Sequence, residues 1–216
     1  MSFSSEVKCE LLSITNQPCC MHAQCYGLLL FGRAFSDSEI SILTENSDVA
    51  DIYSAAVSYL SGFVPETQET AGGKFKVTVE SKEAINAVFE KLGINDQGSK
   101  KRINFANFQN PCCFASFVRG AFLASGTVTD PEKEYHLEFS VSSKRLAEDL
   151  IKLFDEYEPT PKIAQRSGAY TVYFKSSADI EDILAIIGAT EKSLQYMGTK
   201  MYKDIRNTVN RKVNFE

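Results

Sequence analysis

Histidine is scarce in this chain. Only His22 and His136 occur among 216 residues, and neither stands at a spacing that suggests a Ser-His-Asp triad. Glycine-rich phosphate loops are missing as well: no G-x-G-x-x-G and no G-x-x-x-x-G-K-[ST] occurs, which removes two common nucleotide-binding fingerprints. No apolar run approaches the roughly 20 residues needed to span a bilayer. The opening MSFSSEVKCELL lacks the charged-then-apolar layout of a secretory signal. An excess of positive charge is also absent. With 23 Lys and Arg against 28 Asp and Glu the formal net charge is −5, which excludes a polycation that coats nucleic acid but leaves room for a local basic patch. These absences point to a cytoplasmic protein with no membrane partner. What is present is ordinary globular material, 44% hydrophobic and 24% charged, long enough for one large domain or two small ones with a sizeable core.

Six cysteines stand at positions 9, 19, 20, 25, 112 and 113. A cytosolic setting keeps them reduced. A metal set can be drawn from Cys19, Cys20, His22 and Cys25, which partly share a helix face. The two CC pairs do not match C-x₂₋₄-C spacing, however, and free cysteines are commonly small buried hydrophobes. The expectation is therefore no metal and no cofactor.

The chain repeats itself once. CCMHAQCYGLLLFGRAF (19–35) and CCFASFVRGAFLASGTV (112–128) each place a glycine seven residues after the second Cys, Gly27 and Gly120. KFKVTVESKEAINAVFEKLGI (74–94) and AYTVYFKSSADIEDILAIIGA (169–189) each read as an alternating strand, a capping Ser, a helix and a terminal glycine. Between these blocks lie strands at 39–45 and 135–141, and helices at 47–60 (capped by Ser47 or Asp48) and 142–157. Each half reads α-β-β-α-β-β-α, an α+β class. Residues 1–94 form repeat one, 95–111 a linker and 112–190 repeat two. A short helix over 4–14, with Ser4 as its cap, precedes the first motif. A basic helical tail occupies 191–216.

A glycine-bearing apolar helix present twice, each time followed by ββαββα, resembles the LAGLIDADG homing-endonuclease fold. The motifs are Cys25-Tyr26-Gly27-Leu28-Leu29-Leu30-Phe31-Gly32-Arg33 and Val118-Arg119-Gly120-Ala121-Phe122-Leu123-Ala124-Ser125-Gly126. The resemblance implies that both motif helices pack at a pseudo-two-fold axis, with Gly27 and Gly120 permitting close approach, and that two antiparallel sheets form a DNA-facing saddle. In the endonucleases the eighth motif position carries an acid that binds a divalent metal. Here those positions are Gly32 and Ser125, which offer no carboxylate. Asp37 and Asp130 lie five residues further on, beyond the helix ends, so metal-dependent cleavage is not expected.

MSFSSEVKCELL, GLLLFGRAF, RGAFLASGTVTDPEKEYHLEF and RNTVNRKVNFE together are similar to the WhiA family of bacterial sporulation and cell-division transcription regulators. That resemblance implies a degenerate LAGLIDADG domain over 1–190 followed by a helix-turn-helix domain, towards which residues 191–216 lead and which this sequence, ending at Glu216, does not contain. It implies a non-catalytic DNA-binding or regulatory module, cytoplasmic and nucleoid-associated. Its partners would be double-stranded DNA, contacted here or only by the helix-turn-helix, and other transcription or cell-division proteins. The alternatives are a protein-interaction scaffold and, last, a residual endonuclease. Strand alternation turns Phe75, Val77 and Val79 toward the helices. That leaves Lys74 and Lys76 on the saddle and, in the second half, Tyr173 and Lys175. With Ile163 buried, Lys162 and Arg166 also point outward. Lys100, Lys101 and Arg102 on the linker and Lys203, Arg206, Arg211 and Lys212 on the tail complete the nucleic-acid-binding candidates.

Overall fold

The computed structural model describes residues 2–94, 102–166 and 168–213. Repeat one comprises α2 (Pro18–Leu30), β1 (Ala34–Phe35), β2 (Ile40–Thr44), α3 (Ser47–Ser61), β3 (Glu66–Glu69), β4 (Phe75–Val79) and α4 (Lys82–Lys91). Repeat two comprises α5 (Cys112–Ser125), β5 (Gly126–Val128), β6 (Leu137–Val141), α6 (Lys144–Phe154), β7 (Lys162–Arg166), β8 (Ala169–Phe174) and α7 (Ser177–Ile187). A helix α1 (Phe3–Leu12) precedes them and a long helix α8 (Thr190–Val213) follows. The α-β-β-α-β-β-α order expected of each half is the order found.

Each repeat builds one antiparallel sheet, with strand order β1-β2-β4-β3 and β5-β6-β8-β7. The sequence explains the sidedness. In β4, Val77 and Val79 are buried under α3 while Lys76 and Thr78 occupy the other face. In β6, Leu137, Phe139 and Val141 are buried against α6, and Glu138 and Ser140 alternate with them. We call the face away from the helices the saddle face. The two sheets meet through α2 and α5, whose contact is the most extensive between any two elements among the described residues. Phe117 anchors this seam, its ring 5.3 Å from Tyr26, 6.0 Å from Phe31 and 5.0 Å from Phe108. Burying a cluster of this size contributes several kcal/mol, since deleting one such ring costs about 3–5 kcal/mol.

Local details depart from the sequence reading at several points. The cap of α1 is Ser2, whose hydroxyl accepts from Ser5 N. Ser4 instead accepts from Val128 N at 3.3 Å and ties α1 to repeat two. Asn46, not Ser47 or Asp48, caps α3, because its amide oxygen reaches two backbone donors at once. The helix expected over 142–157 is confined to Lys144–Phe154 and capped by Ser143. Ile163 faces the helix side, opposite Val172, yet stays 40% exposed because β7 is an edge strand that the helices do not fully cover.

Candidate nucleic-acid interface

The motif helices determine what the molecule can do chemically. At the seam, a Cβ on Gly27 would lie 2.2 Å from the Phe117 carbonyl oxygen, and one on Gly120 would lie 2.1 Å from that of Gln24. Only hydrogen fits at either place. The second motif also buries a cation. Arg119 is 7% exposed, and burial lowers its pKa. Among the described residues no carboxylate pairs with it. Its Nε donates to the Ile187 carbonyl at 2.6 Å, and its Nη1 to Asn16 Oδ1 at 2.8 Å and Gln24 Oε1 at 3.1 Å. The Ile187 carbonyl is at the C-terminal end of α7, where the helix dipole is negative and favours a cation.

Neither of the two positions where homing endonucleases carry acids supplies a carboxylate here, and at position 32 there is no room for one. A Cβ on Gly32 would lie 2.7 Å from Ser41 O and 2.9 Å from the buried Tyr53 hydroxyl, so no side chain enters without displacing β2 or α3. Ser125 turns its hydroxyl back to donate to Ala121 O at 3.1 Å. Asp130 lies past the end of α5, in the turn after β5, where its carboxylate accepts from Glu132 N at 2.9 Å.

On the saddle face of the first sheet, the cations are matched by acids. Lys74 Nζ meets Glu45 Oε1 at 2.8 Å, a contact that holds the Glu45 carboxyl below its ordinary value. Lys76 Nζ lies 3.9 Å from Glu39. Glu66 pairs opposite Thr78 on the same face. The second sheet is different. Lys162 and Tyr173 are cross-strand partners, and Lys175 Nζ sits 5.6 Å from the Tyr173 ring centroid. His136 stacks on Tyr173 with centroids 5.8 Å apart and bonds Glu138 at 2.9 Å. Arg166 pairs with Ala169 through its backbone, and its side chain lies outside the described residues.

On the linker, Arg102 is already paired, although its side chain stays 45% exposed. Its guanidinium binds Asp149 of α6 with two bonds, Nε to Oδ2 at 2.7 Å and Nη2 to Oδ1 at 2.6 Å, and this partner raises its pKa. Asp149 also accepts from Ile103 N at 3.1 Å, and the Tyr26 hydroxyl bridges Asn104 N and Arg102 O. Arg102 is thus a clamp between the linker and repeat two. Lys100 and Lys101 lie outside the described residues. Lys203 is engaged as well, its ammonium donating to the Pro131 and Glu132 carbonyls at 2.6 and 2.9 Å. Arg206, Arg211 and Lys212 are exposed along α8.

One cation escaped the sequence reading. Lys8 of α1 lies in a groove of about 810 Å³ between the repeats, which it shares with Thr44, Glu45, Lys74, Ala124 and Thr127. Its Nζ is 6.0 Å from the Phe122 ring centroid, and burial pushes its pKa down to about 8. Nothing local marks it, since α1 reads as a plain amphipathic helix. The cysteines also divide differently from the expectation of small buried hydrophobes. Cys20, Cys25 and Cys113 are buried, while Cys9 and Cys112 are exposed and Cys19 is partly so. His22 and Cys25 take no part with Cys19 in a common cluster: His22 is held by Asn107 Oδ1 at 2.8 Å, and Cys25 is buried along α2 with its thiol pushed up to about 12.

Comparison with known proteins agrees with this architecture. A family model described as the WhiA LAGLIDADG-like domain matches residues 114–206. The "Probable cell division protein WhiA" of Ruminiclostridium cellulolyticum is 36% identical over all of this chain and 73% of its own length. That of Oceanobacillus iheyensis is 33% identical over all of this chain and 72% of its own length. Full-length DUF199/WhiA from Thermotoga maritima superposes with a TM-score of 0.72 at 21% identity, covering 100% of this chain and 72% of that one. I-DmoI, crystallised with DNA and Mn, shares the fold with a TM-score of 0.53 at 13% identity, over 79% of this chain and 97% of that one. Similarity to the curated relatives over the whole of this chain, carried on a duplicated fold with a glycine seam, shows that the chain belongs to the WhiA family.

Proposed function

We propose that this chain is a non-catalytic, DNA-associated regulatory module of a bacterial transcription regulator of sporulation and cell division. The observation that carries the reading is at position 32. A homing-endonuclease frame survives around it, yet the space for a metal-binding side chain is taken by Ser41 and Tyr53. In this reading residues 1–190 are the LAGLIDADG-like domain, and 191–216 a basic helical connector toward a helix-turn-helix domain. Duplex DNA lies along the second sheet, where Lys162 and Lys175 meet phosphates and release counterions, giving salt-dependent and largely sequence-blind contact. The first sheet contributes less, because its lysines already have carboxylate partners.

Fluorescence anisotropy with a labelled duplex, repeated across a salt series, tests the reading together with plasmid nicking in Mg²⁺ or Mn²⁺. Expected are binding that weakens steeply with salt and no cleavage. Cleavage abolished by Asp130→Asn refutes the non-catalytic part, and no binding at low ionic strength refutes the DNA contact.

A second reading, a scaffold for another regulatory or cell-division protein, has its own observation. Leu194, Met197, Met201, Ile205 and Val209 recur every three or four residues along α8 and are 41–66% exposed. They face away from the side on which Tyr196 is buried and Lys203 reaches the β5–β6 turn. Capture of a transcription or cell-division protein that is lost in Met201→Glu but retained in Lys162→Glu favours this reading over the first.

A further inference from the structure

The two CC pairs, 93 residues apart in sequence, converge at the end of the helix seam remote from Gly32 and Ser125. Cys19 Sγ lies 4.0 Å from Cys20 Sγ and 3.8 Å from Cys112 Sγ. All three sulfurs fall within 4.8 Å of one another. A tetrahedral thiolate centre with metal–sulfur bonds of about 2.3 Å has sulfur–sulfur edges of about 3.8 Å. Two of the three edges, at 4.0 and 3.8 Å, match that spacing, and the third is no longer than 4.8 Å. Cys19 and Cys20 are in the first turn of α2, and Cys112 is the first residue of α5. Both helices direct their positive ends at the cluster. Cys113 holds the arrangement from beneath by donating its S–H to the Cys19 carbonyl at 3.7 Å.

We propose that Cys19, Cys20 and Cys112 form a binding site for a thiophilic d¹⁰ cation, with zinc as the fitting ion. Three thiolates supply the soft donors that exclude magnesium and calcium. The fourth position opens on the exposed side of Cys112, next to a groove of about 560 Å³ lined by Pro18, Cys19, His22, Asn107 and Gln109. A water molecule completes the tetrahedron there. On binding, each thiol gives its proton to solvent and its sulfur lone pair to the metal. Because one ligand comes from repeat two and two come from repeat one, the ion staples the halves at the far end of the seam. This site is separate from the positions that would serve an endonuclease and stands whether or not the saddle binds DNA.

Anaerobic titration of the full chain with Co²⁺, in a phosphine reductant, tests the proposal. Expected is one equivalent bound, with a thiolate-to-cobalt charge-transfer band and the visible bands of a tetrahedral site, both erased by one equivalent of Zn²⁺. Cys19→Ser and Cys112→Ser should each weaken binding by more than about 100-fold, beyond what loss of a supporting group costs. Cys9→Ser, on the exposed surface of α1, should change nothing. A missing band, or one that survives in both serine variants, overturns the site. The unmodified chain gives an independent readout should a variant fold poorly. Zn²⁺ must slow alkylation of Cys19 and Cys112, mapped by peptide mass, while leaving Cys9 at its original rate. Equal labelling with and without Zn²⁺ overturns the proposal, as does a Cys19–Cys112 disulfide forming while cobalt stays unbound.

Discussion

Lys8 shows what a single side chain contributes once the repeats are assembled. Its ammonium is pushed down to about 8 by burial against Phe122 and the floor of the groove. The folded chain therefore gives up this proton near pH 8, whereas the unfolded chain keeps it to about pH 10.4. Between those values the unfolded state binds more protons, so the Lys8 contribution to stability rises with pH and is unfavourable below pH 8. Cys25, raised to about 12, acts in the opposite sense, its contribution being lost as pH climbs from about 9. The clean measurement is thus a difference. Lys8→Met should be more stable than the parent at pH 7 by on the order of 2 kcal/mol, and the gap should close by pH 10.5. Urea midpoints whose difference stays flat from pH 7 to 10.5 would refute this account. Residues like Lys8 and Arg102 could not be assigned from sequence, since their environments come from segments far along the chain. Asp149, the partner of Arg102, is 47 positions away.

Among the elements, the helix seam is both the most legible feature and the most constrained. Alternating strands, Ser caps and terminal glycines are local signals, so the α-β-β-α-β-β-α order was readable in each half. Boundaries slipped where neighbouring polar residues compete for one cap, as Asn46 does with Ser47 and Asp48. The set of three acceptors around Arg119 was not readable, because Asn16, Gln24 and Ile187 come from three separate segments. A lone charge inside the mostly apolar stretch from Cys112 to Leu123 was the available sign that internal partners must exist. Arg119→Lys retains the charge but loses the planar fork, and one ammonium cannot reach the Ile187 carbonyl and both side-chain oxygens with the same geometry. We expect a loss of about 2 kcal/mol in chemical denaturation. A change below about 0.5 kcal/mol, the level of an ordinary surface substitution, would show that the fork does not matter.

At the scale of the whole molecule, the net charge of −5 conceals an asymmetry between the two saddle faces. The first sheet sets Glu39, Glu45 and Glu66 against Lys74 and Lys76. The second sets Lys162 and Lys175 around Tyr173, with Glu138 already bound to His136. If DNA follows charge, Lys162→Glu combined with Lys175→Glu should cut low-salt duplex affinity about tenfold or more and flatten the salt slope by about two. Lys74→Ala combined with Lys76→Ala should do far less. Equal losses from the two pairs would place the contact elsewhere. The family resemblance gave the fold and the missing acids. Which lysines are spent on neighbouring carboxylates depends on cross-strand register and on the reach of flexible side chains, and neither is written in alternation alone.

The glycine seam, finally, governs what such a chain can inherit. A serine or an acid at position 125 is one side chain among others, and a lineage can gain or lose it without disturbing the frame. Positions 27 and 120 are different, because what each glycine faces is the other repeat's backbone. A side-chain neighbour can mutate out of the way, but a carbonyl cannot, so a methyl group at either position has no second-site remedy. Descendants of the duplicated ancestor can therefore discard a chemistry in a few substitutions while its shape stays fixed by two hydrogen atoms.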